Sequence, residues 1–501
     1  MLSPLWRNRL FASFATVVAI VLGAQIAQGA WFWPTLITGL LAGVIAISIQ
    51  PRPLLAVILA VTALGYIIGN RGFAQISLSQ TFPLLPGEMG LLLAGGILLV
   101  QCAWRHEMPA RRDPLNVALL VWIAAGTVRV LFDVREYGFA AIRDYALVYY
   151  AAFFFLAQQV ARDRASGAFV LRGILYGCAA LLVVHPLFTA YPDFFISTLT
   201  LRGNPLIFFK GDLAATFMAV GSVLSFVRYE RSRRRRWLVV SLALAALMMT
   251  TSNRSSIVAL AVGTGWLAVG GRWRFAGLLS LGAILAAITL LLAAELQNRS
   301  WRQSQIHRVY ERVLSIADPF GQRAYQTDDA FKGDNNVFRI VWWRTAVSET
   351  VEDNPWLGLG FGHDLAARFV RQYFPEGNDD FSARSPHNVL ITVFARMGIV
   401  GLALFLAVLG TSFLSTWHAV RRPDPTVAAD GAWIGAWVLL VAACFGVVLE
   451  GPMGAMIFWT LLGLANGFAH AKAPPEEATI ESAPALADPT VAGATAELTA
   501  R

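Results

Sequence analysis

Apolar runs of membrane-spanning length recur along the chain, separated by short polar breaks. They fall near residues 10–28, 31–50, 53–69, 88–104, 114–132, 142–161, 167–188, 207–228, 237–251, 255–271, 274–294, 387–416, 430–450 and 453–470. Runs of this length predict an all-α, polytopic transmembrane helix bundle of about 12–14 spans. One polar interruption is long. The expected organisation is an N-terminal bundle over 1–294, an external helical loop over 295–385, C-terminal membrane helices over 386–472 and a tail over 473–501. The tail is rich in Ala, Pro, Thr and Glu, a composition that predicts disorder.

The polar breaks alternate in charge. Arg7 and Arg9 precede the first span. Alternate loops then carry Arg52; Arg105, Arg111 and Arg112; Arg162 and Arg164; Arg228, Arg231 and Arg233 to Arg236; Arg272 and Arg274; and Arg421 and Arg422. The positive-inside rule makes that side cytoplasmic and puts the long loop, and its neighbours Arg71, Arg135, Arg202, Lys210 and Arg254, on the other. The net charge of +9 therefore reflects orientation, and a nucleic-acid partner is not expected. Met1–Arg9 is basic, but the apolar run after it reads as a first membrane helix, not a cleaved signal. Cys102, Cys178 and Cys444 lie in apolar runs with no metal-ligand spacing and read as packing residues.

Within the long loop, Asn335–Glu352 places Phe338, Val341, Trp342, Thr345 and Ala346 at helical spacing, which predicts an amphipathic helix. Asn354-Pro355 stops it. Gly358, Gly360 and Gly362 then permit tight turns, without the Lys and Ser/Thr of a P-loop. Arg384-Ser385-Pro386-His387-Asn388 opens the next membrane helix. Ser385 suits the N-cap and Pro386 the first helical position, so His387 falls in the first turn. A step of 100° per residue brings Ile391, Phe394, Gly398 and Gly401 to its face, a seam that admits a neighbouring helix. By itself the stretch also suits an interfacial histidine, with the glycines there for packing.

Further charged groups are expected on the same side. The segment 237–251 is short for a bilayer, so the turn Thr251-Ser252-Asn253-Arg254-Ser255-Ser256 recesses Arg254. Arg202-Gly203-Asn204 leads to Lys210-Gly211-Asp212, where Lys210 also has a ready partner in Asp212. A guanidinium fork suits phosphate or carboxylate, and a histidine near a helix N-terminus stays neutral and able to take a proton. Together these groups suit an anionic, lipid-linked substrate. No acidic cluster suggests a metal site, and no cofactor is expected.

The set resembles the O-antigen ligase and polysaccharide polymerase family. The resemblance rests on the Ser-Asn-Arg254-Ser turn, on Arg339 and Trp343 followed by Asn354-Pro355-Trp356-Leu357-Gly358-Leu359-Gly360, and on His387-Asn388 with Gly398 and Gly401; it covers about Leu201–Gly401. It implies a GT-C-like bundle in the bacterial inner membrane. It also implies an inverting, metal-independent transfer of a glycan from undecaprenyl pyrophosphate to an acceptor glycolipid or growing polysaccharide. On that resemblance His387 is the base, and Arg254 and Arg202 hold pyrophosphate; Lys210, from its place in the chain, is a further candidate for the same anion. Arg396 departs from the family, whose members often carry an acid there, and Glu450 is its expected partner. Two other classes remain: a transporter of polysaccharide or lipid-linked oligosaccharide, which expects ionisable groups at mid-bilayer, and a non-catalytic scaffold.

Overall fold

The computed structural model describes residues 51–77, 84–105, 108–251, 253–282, 331–374, 383–424 and 428–471, with single positions 284, 316 and 318. The predicted segments 10–28 and 31–50, most of 274–294 and the tail from 473 lie outside these residues.

In chain order, α1 (Pro51–Leu64) runs through a π-helical turn (Gly65–Gly69) into α2 (Asn70–Ala74). Then come α3 (Pro86–Arg105), α4 (Pro114–Tyr137), the broken run α5 (Phe139–Asp144), α6 (Ala146–Tyr149) and α7 (Ala152–Val160), and α8 (Arg164–Ala190). A short hairpin, β1 (Thr200–Leu201) with β2 (Asn204–Pro205), precedes α9 (Gly211–Ser232), α10 (Arg235–Thr250) and α11 (Arg254–Val269). After the gap stand α12 (Phe331–Asp353), α13 (Ala367–Tyr373), α14 (Val389–Arg421), α15 (Ala429–Ala443) and α16 (Pro452–Ala469).

Eight helical runs among the described residues are long and apolar enough to cross a membrane, and α11 and α15 are shorter apolar helices. The protein is thus an all-α, multi-pass membrane protein. Helix starts follow local chemistry: Asp113 accepts from the Asn116 amide (2.8 Å) ahead of Pro114, and Asp163 from the Ser166 amide (3.1 Å). One predicted run, 430–450, is corrected. Its helix ends at Ala443, and residues 444–450 turn irregularly before Gly451, the N-cap position of α16.

Two helices form the centre. In their most apolar windows α9 is 83% buried and α16 89% buried, whereas α4 is 28% buried and faces outward. Helix α9 packs on α8, α10, α11 and α15, and α16 on α7 and α15. Lipid gives helices little hydrophobic reason to associate, so close packing and satisfied polar groups hold them. Trp122 lies 6.0 Å from Trp459 and 5.1 Å from Phe405, ring centre to ring centre. Asn116 and Asn466 both donate to Gln158 Oε1 (2.8 and 2.6 Å), tying α4, α7 and α16.

The basic loops gather at one end. Buried Asp430 takes Arg231 and Arg272 (2.5 Å each), Arg272 also meets Glu230 (3.2 Å), and Arg164 meets Asp424 (3.3 Å). The cysteines are free thiols, with Cys178 buried.

Candidate functional site

The site is at the other end, where α14 begins. The expected start of this helix is corrected. Its N-cap is Asn388, whose side chain accepts from the Leu390 and Ile391 amides (3.0 and 3.3 Å). Ser385 and Pro386 stand outside the helix, and so does His387, at φ +57°. The reason is a competing acceptor. Ser385 Oγ donates to Glu450 Oε1 (2.6 Å) and accepts the His387 amide (3.4 Å), while Thr392 Oγ1 donates to the same carboxylate oxygen (3.0 Å). Glu450 thereby pins the turn that presents the imidazole. Burial lifts the Glu450 carboxyl above its ordinary range, and the two donating hydroxyls pull it back down.

Helix α12 closes over that turn. It is amphipathic as predicted: Trp342 and Ala346 are fully buried, and Phe338 and Val341 pack beside them. Trp342 stacks on Phe369 of α13 (5.1 Å), donates to the Leu365 carbonyl (2.8 Å) and meets the His387 ring edge-on (5.7 Å). Trp343 donates to the Pro386 carbonyl (2.6 Å). Arg339 stands three and four residues before these tryptophans, on the face turned to His387.

The charges converge there. Burial, then Arg339, then Lys210 push His387 down to about 4, and Asp212 opposes them. Burial and the neighbouring Arg254 hold the Arg339 guanidinium below its ordinary range, again opposed by Asp212. Lys210 pairs with Asp212 (3.3 Å), as its spacing suggested, and its amide donates to Asn70 Oδ1 (2.9 Å). Arg254 arrives because α11 starts beside α9: Ser256 Oγ lies 3.2 Å from Thr216 Oγ1, and Asn253 caps the helix through the Ser255 amide (2.9 Å). Of the four sequence-proposed residues, Lys210 lies near His387, and Arg254 joins them through Arg339. Arg202 sits on the exposed tip between β1 and β2 at φ +53°, a different setting. Arg339 and Asp212 join the cluster as charged members whose importance the sequence only hinted at. Among the described residues no His, Cys, Asp or Glu group is arranged to hold a metal ion.

The glycines serve another purpose. Helix α14 breaks at Gly398 (φ +64°, ψ −163°), and what enters the break is the turn after α12, not a neighbouring helix. The Ile399 and Val400 amides donate to the Pro355 and Trp356 carbonyls (2.8 and 3.3 Å), and the Leu359 amide donates to the Ala395 carbonyl (2.7 Å). A Cβ on Gly398 would stand 2.3 Å from the Trp356 carbonyl group, and one on Gly358 2.6 Å from the Gly398 nitrogen. Side chains clamp the rest. The Phe361 and Gly362 amides donate to Asp133 (2.7 Å) and Asp144 (3.1 Å), and Arg129 donates to the Gly358 carbonyl (3.3 Å). Arg396 donates to the Gly360 and His363 carbonyls (3.0 and 2.5 Å) and pairs with Asp144 (2.7 Å). Its ionic partner is therefore Asp144, whereas Glu450, the expected partner, bonds Ser385 and Thr392. Asp144 lies at the irregular start of the predicted sixth span, which hid its role.

Residues 238–406 match the family model described as O-antigen ligase. A protein from Pseudomonas aeruginosa named O-antigen ligase is 26% identical over 197 residues. That match covers 39% of this chain and 38% of the relative. The matched family stretch holds Arg254, Arg339, Arg396, Gly398 and His387, and ends short of Glu450. Over these residues the chain, a multi-pass helical membrane protein, is O-antigen ligase-like.

Proposed function

We propose that the protein is a membrane glycan transferase of envelope or exopolysaccharide biosynthesis. It moves a glycan from undecaprenyl pyrophosphate to an acceptor sugar hydroxyl at the outer face of the inner membrane. The acceptor is a glycolipid or a growing polysaccharide. The observation that carries this reading is the half-buried imidazole of His387 beside Arg339 and Lys210, with Arg254 next to Arg339.

His387 takes the acceptor proton. The freed oxygen attacks the anomeric carbon, the bond to pyrophosphate breaks, and the configuration inverts. Arg339, Arg254 and Lys210 neutralise the leaving pyrophosphate and so supply the charge that a metal supplies elsewhere. Burial and then the cations hold His387 neutral; a bound pyrophosphate offsets the cations, so the donor itself raises the proton affinity of the base. In this proposal Arg202, exposed on its hairpin, contacts the donor outside this cluster. In this proposal α12, α13 and the Gly358–Gly362 turn form the described part of an external lid over the bundle.

A transporter would spread its ionisable groups along a path through the bilayer. The convergence of charge at one end favours chemistry there. The test is reconstitution in proteoliposomes with a lipid-pyrophosphate glycan and candidate acceptors. Arg339→Gln and Arg254→Gln should each weaken donor binding by ~10-fold or more, the worth of a charge-assisted contact to phosphate. Unchanged donor affinity in both variants would remove the pyrophosphate assignment.

A further inference from the structure

The turn that fills the break in α14 has a second face. Trp356 is 64% and Leu357 51% exposed, and Ile399 (45%), Val400 (42%) and Val351 (53%) are exposed as well. Trp356 and Val400 are joined through the backbone. Leu406, Phe413 and Leu414 further along α14 are also exposed, so this spanning helix has an outward apolar side. The Trp356–Leu357 turn adjoins that side.

Two rulers give its depth. From Arg421 at the basic end, Ile399 is 22 residues back along α14, about 33 Å at 1.5 Å per residue. From Pro114 at the same end, Arg129, which holds the Gly358 carbonyl, is 15 residues along α4, about 22 Å. The hydrocarbon layer is about 30 Å thick. The first ruler puts the turn at the far boundary, and the second puts the Arg129 backbone about 8 Å inside it; tryptophan is favoured at that boundary because one side of the indole meets acyl chains and the other headgroups. The charges nearby fit a boundary: Glu352 pairs with Arg368 at the surface, just before the turn.

The backbone accounting agrees. A broken helix at the bilayer edge exposes amides and carbonyls that lipid cannot satisfy. Here Pro355, Trp356 and Leu359 satisfy them from the inserted turn. The turn therefore closes the polar gap on its inner side and offers only apolar side chains outward.

We infer that Trp356 and Leu357 form an interfacial anchor whose partner is the bilayer, with acyl chains covering both side chains. The anchor seats α12, and with it Arg339 and the two tryptophans over His387, at a set height above the membrane. Lipid contact by this turn does not depend on what the site transfers.

The test uses the full chain in phosphatidylcholine nanodiscs, with Cys102, Cys178 and Cys444 replaced by alanine. Trp356→Cys and Leu357→Cys are spin-labelled one at a time, with Asp353→Cys as a water reference and Leu414→Cys as a lipid reference. Labels at 356 and 357 should resemble the lipid reference in collisions with oxygen, and should collide with a water-soluble nickel chelate at least ~5-fold less often than the Asp353 label, because of their apolar surroundings. Collision with nickel at the Asp353 level would overturn the inference. So would protection from both probes, which would mean that protein, such as a second copy, covers the turn.

Discussion

Arg396 offers a severe test, because it is a buried cation whose every contact is structural. The residue is 3% exposed, and its guanidinium joins Asp144, the Gly360 carbonyl and the His363 carbonyl. Arg396→Met keeps most of the volume but removes the closest cation from the Asp144 carboxylate, which keeps the Gly362 amide and the more distant Arg384, and takes the arginine donor from two carbonyls. Breaking a buried pair from one side costs about 3–5 kcal/mol. Asp144→Asn should cost less, since an amide oxygen still accepts from Gly362. In the double variant the unpaired charges are both gone, so the loss should fall short of the sum by about 2 kcal/mol, as for side chains in direct contact. For a chain of 501 residues, with an unfolding entropy of about 2.1 cal/mol/K per residue, the single Arg396 change should lower the melting temperature by about 3–5 °C. The assay is thermal unfolding in detergent, followed by tryptophan fluorescence, on all four proteins. A melting shift under about 2 °C with additive effects would refute the strut. Loss of transfer with unchanged melting would point instead to a role in the chemistry.

Four more outcomes follow from the geometry. Gly398→Ala should cost at least about 2 kcal/mol, from a backbone conformation almost reserved for glycine plus a contact 2.3 Å from Trp356, read as a lower melting temperature. Glu450→Gln should keep most activity because its amide oxygen still accepts from Ser385, whereas Glu450→Leu should lower the transfer rate with little change in donor affinity. Asp430→Asn should destabilise the basic end by about 2–4 kcal/mol, since Arg231 and Arg272 then lose a shared anion. His387 is held neutral, so its contribution to stability is full above its unfolded value near 6.5. It declines as pH falls and is lost through about 4. The difference between the parent and His387→Gln should reach about 3 kcal/mol across that window. Taking the difference removes the opposite slope from Glu450, and a flat difference would show that the imidazole is not held neutral.

Hydrophobic patterning made the bundle legible, since the predicted runs that fall within the described residues have helical counterparts. The amphipathic helix α12 was equally plain from Phe338 to Ala346. What remained hidden turned on which acceptor wins. Ser385 looks like a cap, but Glu450, 65 residues later, captures its hydroxyl. Asn388 caps instead, and His387 is left before the helix. Gly398 and Gly401 looked like a helix-crossing seam, yet a loop from 40 residues earlier fills the break. The partner of Arg396 was misread because helical spacing shows which face a side chain occupies, not what lies opposite. Lys210 with Asp212 was readable because the two are local. Arg339 was visible only as part of a family pattern; its i, i+3 and i, i+4 relation to Trp342 and Trp343 was the available signal.

The central claim is that His387, within its ring of cations, moves the proton in glycan transfer. The direct measurement is single-turnover transfer by His387→Gln in proteoliposomes loaded with lipid-pyrophosphate glycan, with donor binding and melting temperature measured on the same preparation. The account predicts intact folding, donor affinity within a few-fold of the parent, and transfer reduced at least ~100-fold, the ordinary worth of a general base. Transfer at the parent rate by a folded, donor-bound His387→Gln protein would contradict it.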